Sequence, residues 1–161
     1  MDDDEEERRL LTRLPLECLG FQARIAARRL TRYYNRWFRP LELTAEQFSL
    51  LVGIATIASS NVGTLAGCAG ADATTVSRNV KNLEGRRLVR STGGRGRGGK
   101  LLALTPEGNA LLRAALPRWQ AARDELARRL GEDAARYAIK SMSSLAEAAS
   151  SDKSPEPGSG V

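Results

Sequence analysis

The chain has 161 residues, 42% of them hydrophobic, and a formal net charge of +6, which suits one domain with a sizeable core. It contains no histidine. Catalysis by serine–histidine or cysteine–histidine pairs is therefore excluded, and the commonest ligand of transition metals is missing. No apolar run in the sequence approaches the roughly 20 residues that span a bilayer. We expect no membrane segment, no metal and no cofactor.

The charge is unevenly distributed along the chain. Residues 2–7 are all acidic, and residues 151–161 hold two acidic residues and one lysine, so residues 8–150 carry 24 of the 25 basic residues but only 11 of the 19 acidic ones. This excess favours a polyanionic partner, although arginine accounts for 21 of the 25, which coding bias alone could also produce. The acidic start resembles neither a signal nor a transit peptide, and we expect the protein in the cytoplasm.

Both ends of the chain are predicted to be disordered tails. Residues 1–15 open with a block of like charges, and residues 151–161 are rich in proline, glycine and serine. Residues 16–38 have apolar and aromatic side chains at imperfect helical spacing, interleaved with five arginines. This pattern predicts a long first helix.

A second helix is predicted from residue 44. Thr44 and Gln47 have the spacing of a capping box, in which each side chain accepts a hydrogen bond from the other residue's backbone N–H. The residues that follow are strongly apolar, so we expect this helix to be the centre of the core. Its predicted core residues are Phe48, Leu51, Ile54, Ala55 and Ala58.

Two helices separated by a tight turn are predicted next. The first, over residues 62–69, has one apolar side on which we expect Cys68 to be buried, and Gly70 supplies the turn. Asp72 caps the second helix, because its carboxylate can accept from the free backbone N–H groups of the first turn. The predicted buried stripe of this second helix is Val76, Val80 and Leu83.

The outer face of that second helix holds no acidic residue before Glu84. It offers short hydroxyls, then arginine, lysine and asparagine, which suit the phosphates and base edges of a nucleic acid. An ordinary solvated helix, which usually mixes glutamate with lysine and arginine, is the alternative. The candidate contact residues are Thr74, Thr75, Ser77, Arg78, Lys81 and Asn82.

Two strands joined by a basic turn are predicted after this helix. They cover residues 88–92 and 100–104, and the seven residues between them include five glycines together with Arg95 and Arg97. Because glycine permits a close approach of the backbone, both arginines join the candidate nucleic-acid contacts.

Two helices complete the predicted fold. Thr105 and Pro106 have the types expected at the start of a helix, which we place over residues 106–130. Pro117 within it removes a backbone donor and clashes one turn back, so it is expected to kink or divide the helix. The last helix is predicted over residues 133–149.

This order of elements resembles the MarR family of bacterial transcription regulators, and the likeness covers about residues 16–150. The resemblance rests on four segments, which are 43–51, 62–84, 88–89 and 101–112. It implies a mainly α fold with a small two- or three-stranded antiparallel sheet. In that fold, a winged helix–turn–helix part over residues 44–105 joins a helical dimerisation lobe formed by residues 16–43 and 106–150.

The family resemblance implies a homodimeric, sequence-specific transcriptional regulator that binds an inverted-repeat operator in double-stranded DNA. We expect a repressor whose affinity a small-molecule effector modulates, at a site that the sequence does not identify. An enzyme is not expected, because the sequence has no histidine, no paired-carboxylate motif of a catalytic site and no phosphate-loop signature. A winged-helix module that has lost DNA binding is a further alternative, which the basic helix and turn argue against.

A thiol-based redox switch on the same scaffold is the alternative function. One branch of the family senses peroxides through a cysteine near the start of the first helix, at a position that here falls on Gly20. Cys18 lies two residues earlier, which on a continuous helix is a rotation of about 200°. Redox sensing through Cys18 is therefore the minority hypothesis.

Two positions depart from the family pattern. Relatives commonly place an acidic residue before the wing arginine, whereas Gly96 precedes Arg97 here. Relatives also often carry glycine just before the first wing strand, where this chain has Arg87, with Gly85 two residues earlier. We expect the end of the preceding helix to differ accordingly.

Overall fold

The computed structural model of the chain describes residues 3–93 and 100–150. Its helices are α1 (Asp3–Glu17), α2 (Leu19–Phe38), α3 (Ala45–Thr56), α4 (Val62–Ala69), α5 (Ala73–Gly85), α6 (Pro106–Leu130) and α7 (Glu132–Ser150), with a short 3₁₀ turn at Arg39–Leu41. Its strands are β1 (Val89–Thr92) and β2 (Leu101–Leu104). The expected mainly α fold is confirmed, with a sheet of two strands in the described ranges.

The chain divides into two compact units at the Trp119–Gln120 bond, inside α6. The sequence predicted a single domain over residues 16–150. The helical backbone of α6 runs through Pro117 without interruption, so the proline does not divide the helix. Among the described residues, no helix combines the length and apolar character that crossing a bilayer requires.

α1 differs from the disordered tail predicted over residues 1–15. Arg9 Nη2 donates to Glu5 Oε1 at 2.9 Å, and Arg13 Nε donates to Glu17 Oε1 at 2.8 Å. The two residues of each pair lie one turn apart, which favours a helix. The acidic residues also lie at the positive end of the helix dipole, which favours it further. The repulsion within the acidic block is offset in this way.

Cys18 separates α1 from α2. Its backbone is extended, with φ −76° and ψ 111°, so the long first helix predicted from residue 16 begins instead at Leu19. Gln22 Nε2 donates to the Pro15 carbonyl at 2.6 Å across this break. The rotation of about 200° between Cys18 and Gly20 assumed a continuous helix, and that assumption is wrong.

The core of the first unit is built around α3. The rings of Phe38 and Phe48 stack with centroids 4.6 Å apart, and Leu51 and Leu83 are fully buried. The predicted core positions Phe48, Leu51 and Ile54 are confirmed. Ala55 and Ala58, in contrast, are exposed. Because α3 ends at Thr56, its last turn lies at the edge of the core.

The two strands pair antiparallel, with Val89 opposite Leu104 and Thr92 opposite Leu101. The segment before α4 attaches to β2 through Ser60, whose carbonyl accepts from the Leu102 N–H at 2.8 Å. Ser60 Oγ also donates to the Leu102 carbonyl at 3.2 Å. These bonds hold β2 against the segment that leads into α4.

Candidate nucleic-acid interface

The start of α5 is fixed by Asp72. Asp72 Oδ1 accepts from the backbone N–H groups of Thr74 at 2.8 Å and Thr75 at 3.2 Å, which confirms the predicted N-cap. The backbone hydrogen bond from Thr75, followed by that from Thr74, lowers the pKa of the Asp72 carboxyl below its ordinary value. The cap holds the first turn, on which Thr74 and Thr75 are exposed.

The two faces of α5 are separated as the sequence predicted. Val76, Val80 and Leu83 are buried, Arg78 and Lys81 are exposed, and Ser77 is half-buried. Within the described part of the chain, no acidic side chain forms a salt bridge with Arg78 or Lys81. Both charges are therefore free to meet a polyanion.

Asn82 has a structural role that the sequence did not reveal. Its Oδ1 accepts from Gln47 Nε2 at 2.8 Å, and Gln47 is buried, with its Oε1 accepting from the Thr44 N–H at 3.1 Å. Asn82 therefore links α5 to the capping box of α3. A glutamine at the third position of a strongly apolar helix was the only sequence signal for this contact.

The end of α5 explains one departure from the family pattern. Arg87 has a left-handed backbone, with φ +59°. Its N–H donates to the Glu84 carbonyl at 2.9 Å, and the Leu88 N–H donates to the Leu83 carbonyl at 2.9 Å. These are the two bonds of a Schellman motif, in which glycine is the usual residue at the left-handed position. Arg87 occupies that position here.

Thr105 connects the hairpin to α6. Its hydroxyl donates to the Arg87 carbonyl at 2.7 Å and accepts from the Gly108 N–H at 3.0 Å, which confirms the predicted cap. Gly108 is required for a reason that the sequence did not show. A Cβ built there would lie 2.0 Å from the Leu88 carbonyl oxygen.

Arg95 and Arg97 lie outside the described residues, and their assignment stays a prediction. The strands on either side of the turn are in place, and Arg90 in β1 and Lys100 just before β2 are exposed. Positive charge therefore extends from α5 to the start of the turn.

The cysteines do not form a joint site in the described ranges. Cys18 is half-buried, and Cys68 is exposed, so the expectation that Cys68 is buried is wrong. On α4 the buried positions are Leu65 and Ala66, whereas Cys68, one turn after Leu65, lies at the edge of that side and is exposed. The described residues contain no cluster of three or more histidine, cysteine, aspartate or glutamate side chains that could hold a metal.

No protein-family model matches the sequence, and no curated protein matches it. Solved structures do match. The chain is 33% identical to the M. tuberculosis transcriptional regulator MosR, with a TM-score of 0.70, and the match covers 82% of this chain and 97% of MosR. A second structure of MosR is a complex with DNA, at 34% identity and a TM-score of 0.70, covering 83% of this chain and 99% of that one.

The transcriptional repressor CouR from Rhodococcus jostii RHA1 also matches. In its complex with p-coumaroyl-CoA it is 26% identical to this chain, with a TM-score of 0.74, and the match covers 83% of this chain and 94% of CouR. CouR has also been solved on a 23-mer DNA duplex. E. coli MarR, at 22% identity and a TM-score of 0.64 over 79% of this chain and 96% of that protein, shares the fold.

Proposed function

The chain belongs to the MarR family of transcriptional regulators, and from that premise we propose a homodimeric repressor that binds an inverted-repeat operator. The observation that carries this proposal is α5, which is capped by Asp72, buries one stripe and presents an outer face without acidic residues before Glu84. The DNA complexes of MosR and CouR support it. A regulator of this kind acts on the chromosome, so the proposal places the protein in the cytoplasm and assigns it no enzymatic activity.

We assign the contacts within this interface as follows. Arg78 is exposed opposite the buried stripe and can donate two hydrogen bonds to a guanine edge in the major groove. Asn82 contributes to this interface by holding α5 against α3, because its Oδ1 already accepts a hydrogen bond from Gln47. The remaining proposed contacts are made to phosphates or base edges by Thr74, Thr75, Ser77 and Lys81, and by Arg95 and Arg97 of the wing.

The dimer is proposed from exposed apolar side chains near the end of the chain. In the second unit, Leu130, Tyr137, Ile139 and Met142 are all about half exposed or more, which is unusual for a monomer unless a partner covers them. We therefore retain residues 16–43 and 106–150 as the dimerisation helices and residues 44–105 as the DNA-binding part. The p-coumaroyl-CoA complex of CouR supports modulation by a small-molecule effector.

The test begins with selection of genomic fragments that the protein binds, followed by salt titrations on the selected operator and on a scrambled duplex. Arg78→Ala should reduce the preference for the operator by about 1–3 kcal/mol, because one bidentate base contact is lost. Arg95→Ala and Arg97→Ala should weaken binding to both duplexes alike. Each should also lower the slope of binding affinity against salt concentration by about one unit. Arg136→Ala, an exposed arginine on α7, is the matched control and should change neither.

Two results would contradict the proposal. If no fragment is enriched and both duplexes bind equally, the protein is not a sequence-specific regulator. If the wing variants lose sequence preference while Arg78→Ala loses only overall affinity, the roles of helix and wing have been exchanged.

A further inference from the structure

A cavity of about 460 Å³ lies between α3, α4 and α5. Its apolar lining includes Leu50 and Ile57 from the α3 side and Leu65 from α4, and Val76 lines it from α5. Gly53 adjoins Leu65 so closely that a Cβ on the glycine would lie 2.7 Å from Leu65 Cδ2. The volume is within the range of sites that hold small organic molecules.

Two polar side chains around this cavity already use a donor within their own helix. Ser49 Oγ already donates to the Ala45 carbonyl at 3.0 Å, and Asn79 Nδ2 donates to the Thr75 carbonyl at 3.2 Å. Glu46, exposed in the first turn of α3, is the one charged side chain among these described lining residues. An apolar body with a positively charged donor would complement this lining, whereas an organic anion would meet the Glu46 carboxylate.

We propose that this cavity binds a small organic cation, with an aromatic or aliphatic body against Leu50, Ile57 and Leu65 and a protonated amine near Glu46. Thr75 lines the cavity and is also one of the proposed DNA contacts. A molecule in the cavity and a DNA duplex therefore compete for the same side chain, so binding of either lowers the affinity for the other. The regulatory half of this inference rests on the proposed function, whereas binding of the amine does not.

The binding test uses matched amines and carboxylates that share one apolar body. Tryptamine, phenethylamine and hexylamine are titrated into the full chain labelled with ¹⁵N, and the corresponding carboxylates indole-3-propionate, hydrocinnamate and heptanoate serve as controls. We expect amide shifts from at least one amine, clustered at residues 46–57 and 65–79, with at least threefold weaker binding of its carboxylate. If no amine shifts these amides, or if the carboxylates bind equally well, the proposal is overturned.

Two variants test the location. Ala69→Leu adds a side chain at the lining of the cavity and should weaken amine binding by at least tenfold. Gly67→Leu is the matched control on the same helix, because a Cβ there meets nothing within 4 Å and amine binding should persist. Glu46→Gln should weaken the amine by about threefold to fivefold, as expected for one exposed charge pair. Amine binding that is unchanged in both Ala69→Leu and Glu46→Gln would place the site elsewhere and overturn the proposal.

The regulatory half is tested by operator affinity with and without the amine that binds. We expect the amine to weaken operator binding by the wild-type chain and to leave that of Ala69→Leu unchanged. Amine binding by a chain that binds no DNA would overturn the proposed function and leave the cavity site standing. Operator binding that saturating amine does not weaken would overturn the competition through Thr75.

Discussion

α5 and α7 are both amphipathic helices, but only α5 buries apolar side chains. α5 buries Val76, Val80 and Leu83 within its own unit, and hydrogen bonds hold both of its ends. α7 has no buried residue, although it carries Ile139 and Met142, which lie one turn apart on one face. A single copy of the chain therefore holds the proposed DNA-contacting helix in place by its own contacts. The apolar face of α7, in contrast, is exposed in a single copy, which is why we propose that a second copy covers it.

The largest effect is expected from charges placed on that apolar face. Ile139 and Met142 lie one turn apart on α7, at 63% and 49% exposure. Ile139→Glu combined with Met142→Glu should raise the dimer dissociation constant by about a hundredfold or more, because charges cannot be buried unpaired in an interface. Sedimentation velocity over a range of protein concentrations measures this change.

Ser141→Glu is the control for the added charge, since residue 141 lies on a different side of α7 from residue 139. Its sedimentation should match that of the wild type. A wild-type chain that sediments as a monomer at micromolar concentration would show that α7 is not a dimer helix. The proposed inverted-repeat operator would then have no structural basis.

The second prediction concerns how the end of α5 is held. Gly108→Ala places a methyl group against the Leu88 carbonyl, so the hairpin base must move away from α6. We expect the free energy of unfolding to fall by about 1–3 kcal/mol. Gly85→Ala is the matched control, because a Cβ there meets nothing within 4 Å, and it should stabilise by about 0.5–1 kcal/mol.

Urea unfolding of the two glycine variants gives both values. If Gly108→Ala is as stable as the wild type, the contact with Leu88 does not hold the hairpin base. Operator binding by Gly108→Ala should weaken along with stability, since α5 and the hairpin would no longer be held in one arrangement.

The features that sequence predicted correctly are local ones. The caps at Thr44, Asp72 and Thr105 depend on residues three positions or fewer away, and the stripe on α5 depends on helical periodicity alone. Both signals can be read without knowing the fold. This is why the element order, the turn at Gly70 and the outer face of α5 were found.

The features that sequence missed depend on distant partners. Asn82 and Gln47 are 35 positions apart, and Gly108 is constrained by a carbonyl 20 positions earlier. Cys68 was assigned to the buried side because α4 is too short for periodicity to fix its orientation. α1 differs from the predicted tail because its ion pairs, each between residues one turn apart, offset the repulsion among its acidic residues.

The third prediction compares two left-handed residues at helix ends. Gly70 at the end of α4 has φ +57°, and Arg87 after α5 has φ +59°. This conformation costs a residue with a Cβ about 1–2 kcal/mol. Glycine avoids that cost, but it loses more conformational entropy on folding, so the net gain in stability is smaller. Arg87→Gly should therefore stabilise the fold by about 1 kcal/mol, and Gly70→Ala should destabilise it by a similar amount.

Arg87→Ala is the control for loss of the arginine side chain, because alanine keeps the backbone strain. Its free energy of unfolding should stay close to that of the wild type. If Arg87→Gly and Arg87→Ala change stability equally, the effect comes from the side chain, and the backbone account of the Schellman motif at Arg87 is wrong.

The smallest effect is expected from the pH dependence of the α5 cap. The folded pKa of Asp72 is lowered by the backbone N–H groups of Thr75 and Thr74. The ionised cap therefore contributes fully above the unfolded pKa of about 3.9, and its contribution is lost as the pH falls through the lower folded value.

Asp72→Asn keeps an accepting oxygen but does not titrate. The difference in urea midpoint between wild type and Asp72→Asn should be constant from pH 7 to 5 and should shrink below about pH 4. The pH dependence of the Thr74 and Thr75 amide shifts should report the same titration in the folded protein. A midpoint difference that grows on acidification would mean that protonated Asp72 is the better cap, and the charged N-cap would then not be what holds the first turn of α5.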